Sequence, residues 1–223
     1  MSLTLSNGFL TDLKTITQTT NLRFSDLVGE INVGKSGGQR TIDTFTFNAD
    51  YIVVSYEFTD GSDLDTKTRI VTPNIGQDTV GEYLGYGSTD IFPPTGNVIL
   101  TWGGDNTGNG FESVLVNIAE LKAQNPSATE VVIDMRALWY GSSGSNPVKA
   151  SVALFRGGTM EPDGDNFTFI NPTATASAAA ESAGTIVTAT ASDSNGDRVS
   201  VLTYNLSSFV GTFNNNDTTT PEV

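Results

Sequence analysis

Between residues 131 and 139 the chain places an apolar side chain at every second position, Val131, Ile133, Met135, Ala137 and Trp139, with Asp134 and Arg136 between them. A period of two belongs to an extended strand with one face buried, because successive side chains leave a pleated backbone on opposite sides. The same period recurs at Phe45 and Phe47, at Ile52, Val54, Tyr56 and Phe58, and at Ala150, Val152 and Leu154. Shorter β-rich runs at 66–72, 98–102, 114–118 and 167–170 fill the intervals. Two more, 185–191 and 198–204, flank Asp193-Ser194-Asn195-Gly196-Asp197, and Asn-Gly between alternating runs is a strong hairpin signal. Helical patterning is weak. Phe9, Leu10, Leu13 and Ile16 share a helical face among β-branched threonines, and residues 119–124 form one helical turn stopped by Asn125-Pro126. Many short strands separated by turns predict an all-β fold, an antiparallel β-sandwich with one short helical turn and a C-terminal β-hairpin extension.

The 223 residues suit one large domain or one domain with an appendage. The expected organisation is an N-terminal arm at 1–40, the sandwich at 41–160, C-terminal strands and hairpin at 161–212, and a flexible polar tail at 213–223. With 25 acidic residues against 11 basic, the net charge of −14 argues against a nucleic-acid or anionic-membrane partner, both of which need a Lys/Arg surface. Cysteine and histidine are both absent, which excludes disulfides, thiolate nucleophiles and zinc-thiolate sites and removes the commonest general base. Met1 to Ser6 show no basic segment leading into an apolar one, so no signal peptide is expected. No run of about 18 apolar residues predicts a membrane span.

Two acidic, glycine-bearing stretches are the most chemically specific parts of the chain: Asp60-Gly61-Ser62-Asp63-Leu64-Asp65 and Gly103-Gly104-Asp105-Asn106-Thr107-Gly108-Asn109-Gly110. Their carboxylates, amide and backbone carbonyls are the hard oxygen donors that calcium takes. Asp, Asn, Ser and Gly are equally what tight turns require. The first stretch is no EF-hand, since positions six and twelve from Asp60 hold Asp65 and Val71 where that loop needs Gly and a bidentate Glu. Gly29 to Ser36 has the spacing of a phosphate-binding loop, but Gly37-Gly38 and a strand pattern follow where a helix should open. Trp102, Trp139 and Tyr140 are the candidates for a sugar-stacking platform, although Trp139 continues a buried strand face. Carboxylate pairs such as Glu112 with Asp134, or Asp163 with Asp165, arise by chance in so acidic a chain, and no catalytic residue is assigned.

Taken together, residues 56–65, the loop at 104–110, the short helical turn and the strand at 131–139 resemble the tellurite-resistance TerD family of calcium-binding β-sandwich proteins, over roughly residues 50–157. The resemblance implies calcium ligands at Asp63, Asp65, Asp105 and Asn106. The chain departs from the family after the second loop, where only Asn109, Phe111 and Glu112 stand in place of an acidic run. Separately, Leu22-Arg23-Phe24-Ser25-Asp26-Leu27 is similar to a short segment of virion proteins of tailed bacteriophages. The expected function is therefore a non-enzymatic structural protein of a phage particle, a capsid decoration, collar or fibre-associated subunit. It would be located in the virion, attach to other virion proteins and form a homo-oligomer. The alternatives are a cytoplasmic calcium-binding stress protein and a carbohydrate-binding module.

Overall fold

The computed structural model describes residues 22–23, 42–58, 63–78, 82–108, 110–140, 148–170, 177–187 and 196–215. Most of the expected N-terminal arm, the Asp60 end of the first acidic stretch, Asn109, the Asn195 turn residue and the last eight residues lie outside them.

The described strands are β1 (Leu22–Arg23), β2 (Ile42–Thr46), β3 (Tyr51–Phe58), β4 (Leu64–Thr72), β5 (Ile91–Phe92), β6 (Leu100–Trp102), β7 (Gly110–Asn117), β8 (Glu130–Trp139), β9 (Val148–Arg156), β10 (Thr159–Asp163), β11 (Asn166–Ile170), β12 (Ser177–Val187), β13 (Asp197–Asn205) and β14 (Val210–Asn215). The helix expected after 118 is α1 (Ile118–Gln124), capped by the Asn117 side chain, which accepts from the Glu120 amide at 3.0 Å. All strand pairings are antiparallel.

Two sheets make the sandwich, one ordered β12-β9-β3-β7-β6-β5 and the other β2-β14-β13-β8-β4. Their inner faces carry the residues that the two-residue period marked: Ile52, Val54, Tyr56 and Phe58 of β3 meet Val131, Ile133, Met135, Ala137 and Trp139 of β8 in one core. Trp139 is fully buried edge-on to Phe58, with ring centroids 6.2 Å apart at 84°. The C-terminal hairpin is made by β13 and β14. The turn residues 193–195 and most of the run before them lie outside the described residues; β12 joins β9 in one sheet and β13 joins β8 in the other. Strands from both sides of residue 160 thus share both sheets.

A third layer was not foreseen. β10 and β11 form a hairpin with the two-residue tip Gly164-Asp165, Gly164 at φ +64, the sign that a primed hairpin turn needs at its first position. β1 pairs with its edge, Leu22 opposite Phe169. Phe167 and Phe169 of this hairpin pack on Val53, Ala153 and Phe155, which are on the outer face of the six-stranded sheet. Phe155 and Phe169 lie 5.0 Å apart between centroids. Burying each such aromatic contributes about 1.5–3 kcal/mol, which explains why β3 and β9 are apolar on both faces.

One long-range contact ties the edge of the sandwich together. The Tyr204 hydroxyl donates to the Phe47 carbonyl at 2.8 Å and accepts from the Ala49 amide at 3.0 Å. Tyr204→Phe leaves that buried amide without an acceptor, and urea denaturation is expected to show a loss of about 1–3 kcal/mol. A loss below about 0.5 kcal/mol would mean that the amide is satisfied some other way.

Candidate metal centre

Three aspartates from two sequence-distant segments converge at one end of the sandwich. Asp63 stands immediately before β4, its carbonyl accepting from the Tyr140 amide at 2.9 Å, so the ladder between β4 and β8 fixes its position. Asp65 is inside β4, paired with Leu138, rather than in a loop as its Asp and Gly neighbours suggested. Asp105 arrives from the opposite sheet, in the β6–β7 connection. One carboxylate oxygen from each lies within 4.8 Å of the other two. Calcium holds oxygens at about 2.3–2.6 Å, so ligands of one ion can stand up to about 5 Å apart. Zinc, copper and other metals that favour nitrogen or sulfur would find only oxygen here.

Burial distinguishes the three. Asp105 is exposed and Asp63 half-buried, whereas Asp65 is only 7% exposed. The Oδ1 atoms of Asp63 and Asp65 are closed off from solvent without a hydrogen-bond partner among the described residues. An unpaired buried carboxylate oxygen is costly, and a cation is one of the few things that relieve it. Burial, then the negative charge of Asp63, push Asp65 up to about 6, with Lys67 opposing and Asp105 adding. Asp63 is raised by burial and by Asp105. Lys67 directs its ammonium elsewhere, donating to the Tyr86 carbonyl and to Ser88 Oγ.

Asn106, the fourth expected ligand, also shapes the loop. Its Oδ1 accepts from the Gly108 amide at 3.1 Å and its Nδ2 donates to the Phe111 carbonyl at 3.5 Å. Its own amide donates to Glu112 Oε1 at 3.3 Å.

Two acidic residues complete the surroundings. Glu112 points between the two sheets, fully buried, with Thr66 Oγ1 donating to Oε2 at 2.5 Å. Burial raises it to about 8, the hydrogen bonds from Thr66 and Asn106 opposing and Asp105 and Asp65 adding. Asp165, at the tip of the β10–β11 hairpin, is raised by burial and by the charge of Asp105. Its approach to the cluster was not legible in the sequence, although Gly164-Asp165 between residues able to form strands is itself a hairpin-tip signal.

The other sequence candidates separate. Trp139 is buried, Trp102 is half-buried against the core and Tyr140 is 62% exposed, so the three make no common platform. Glu112 and Asp134 face opposite sides of the five-stranded sheet, Asp134 being held among arginines. Comparison with protein-family models, with curated proteins and with solved structures returns no match to this chain.

Proposed function

We propose that the chain is a non-enzymatic β-sandwich that binds calcium at the Asp63, Asp65 and Asp105 cluster, in the manner of the TerD-like proteins that its two acidic stretches resemble. The observation that carries this reading is Asp65: a nine-tenths buried carboxylate with an unpartnered oxygen, turned toward two further carboxylates. The all-oxygen donor set favours calcium over softer metals, and three protein oxygens leave several of its about 6–8 positions for water or other groups. Glu112 supports the site from behind, holding the Asn106 amide on one oxygen and Thr66 on the other.

Titration calorimetry tests it. The wild-type protein is expected to bind calcium with micromolar affinity and Asp65→Asn to weaken binding at least about 100-fold. At 100 times Kd, calcium adds about 2.7 kcal/mol to stability, a rise in Tm of several degrees. No heat and no thermal shift at millimolar calcium would remove the metal from the account.

The second reading, a structural subunit of a phage particle attached to other virion proteins, is favoured by β1. Leu22 and Arg23 open the segment similar to virion proteins, and they join the outer layer by adding a strand to the edge of β11. Strand addition of this kind is a general mode of protein attachment. The two readings are compatible, since a calcium-stiffened sandwich can serve as an attachment module. Mass spectrometry of purified particles is expected to find the chain in them, and its absence would overturn the virion reading alone.

A further inference from the structure

We propose that Asp165, whose carboxylate stands against the loop of Asp105 but outside the group of three, is drawn in by the bound ion as a fourth carboxylate of the cation site, and that the ion thereby clasps the β10–β11 hairpin onto the end of the sandwich. This rests on the calcium reading above and extends it to a layer that the resemblance does not cover.

The hairpin tip lies directly against the loop that carries Asp105. A Cβ placed on Gly103 would come within 2.6 Å of the Asp165 carbonyl oxygen, so only glycine permits this approach. One placed on Gly104, the residue before Asp105, would lie 3.5 Å from Asp165 Oδ1. Flanking hydrogen bonds fix the contact: the Gly103 amide donates to the Ser113 carbonyl at 2.8 Å, and Ser113 Oγ donates to Asn166 Oδ1 at 3.0 Å. The residue after Asp165 is therefore tied across the seam to the strand that follows the Asp105 loop. The Asp165 carboxylate makes no hydrogen bond or ion pair with any described residue, and neither does the Asp105 carboxylate.

The seam thus brings a carboxylate from the outer layer beside the loop of Asp105, which itself belongs to the group of three, with no Lys or Arg ion-paired to any of the four among the described residues. Like charges so placed push the tip away from the loop, whereas a dication between them reverses the sign of the interaction. The aromatic packing of Phe167 and Phe169 holds the body of the hairpin regardless of metal. What the cation would control is the tip, where the holding contacts are polar.

The experiment combines calcium calorimetry with amide hydrogen exchange over residues 159–170 in the wild type, Asp165→Asn and Asp65→Asn. Calcium is expected to slow exchange at the wild-type tip about 10-fold. Asp165→Asn should still bind calcium, about 10-fold more weakly, and lose that slowing; Asp65→Asn should lose both. Asp165→Asn affinity within twofold of wild type, with the tip still protected, would overturn the clasp and leave the calcium site standing. A wild type that binds no calcium would overturn both.

Discussion

Asp134→Asn is expected to lower the free energy of unfolding by about 3–5 kcal/mol, measured by chemical denaturation at neutral pH. Asp134 is 1% exposed on β8 and is ion-paired with three guanidinium groups. Arg198 Nε donates to Oδ1 at 2.8 Å, Arg136 Nε to Oδ2 at 3.0 Å, and Arg69 Nε stands 3.4 Å from Oδ2. Burial alone would raise this carboxyl, but the hydrogen bond from Arg198 and the charges of Arg136 and Arg198 outweigh it and hold Asp134 below the ordinary value of 3.8. Because the folded-state value is depressed, the contribution is complete above the unfolded value and is lost as pH falls through the folded one. Removing the charge leaves buried guanidiniums without their common anion, which costs far more than an exposed pair. Lys149 and Glu57, 3.1 Å apart with Lys149 39% exposed, supply the contrast: Lys149→Ala should cost under about 1 kcal/mol. Equal losses from the two variants would show that the arginine cluster is not a buried electrostatic unit.

Glu112→Gln is expected to make the calcium-free protein more stable at alkaline pH. Glu112 is fully buried and its folded value is raised from 4.5 to about 8, chiefly by burial. A raised folded value means that its stabilising contribution is complete below the unfolded value and is lost as pH rises through the folded one. Between pH 4.5 and 8 the native state holds a proton that the unfolded state has released, so stability declines with pH. At about 1.4 kcal/mol per unit, the loss by pH 9 is on the order of 5 kcal/mol. Glutamine keeps an acceptor for the Asn106 amide and presents an amide to Thr66 Oγ1, without the charge. The wild-type Tm, measured in chelator, should therefore fall from pH 5 to pH 9, while that of Glu112→Gln falls by less, keeping only the decline that raised carboxylates such as Asp65 contribute, and exceeds the wild type at the upper end. Parallel profiles would mean that Glu112 ionises freely in the folded protein, contrary to its burial.

The strand at 131–139 could be read from the sequence because its signal is local. One face of β8 is packed and the other carries Asp134 and Arg136, so the period of two survives intact. The same reading was incomplete for β3 and β9. Val53 and Phe155 lie on the second faces of their strands, and only the β10–β11 layer explains why they are apolar.

The candidate site divides along the same line. Asp63, Asp65 and Asp105 were legible as oxygen donors, and the structure places them together. Asn106, read as a fourth oxygen donor, closes the loop over Gly108 and Phe111 with its amide. Glu112 read as the remnant of a depleted acidic run; its burial between the sheets follows from the inward register of β7, beside Val114 and Val116.

The amino-acid sequence by itself determined the all-β class, the strands with one clear inner face, the short helix at Ile118–Gln124 and the carboxylates available to a cation. Each of these depends on neighbours a few residues apart, which side-chain alternation and capping chemistry record directly. Only the tertiary structure decided which sheet each strand joined, that a third layer covers the sandwich, and that Asp165 meets the loop of Asp105. Those outcomes are settled by contacts between residues far apart in the chain, such as Tyr204 with Ala49 across 155 positions. Such contacts are selected by the burial of whole faces rather than by any local pattern.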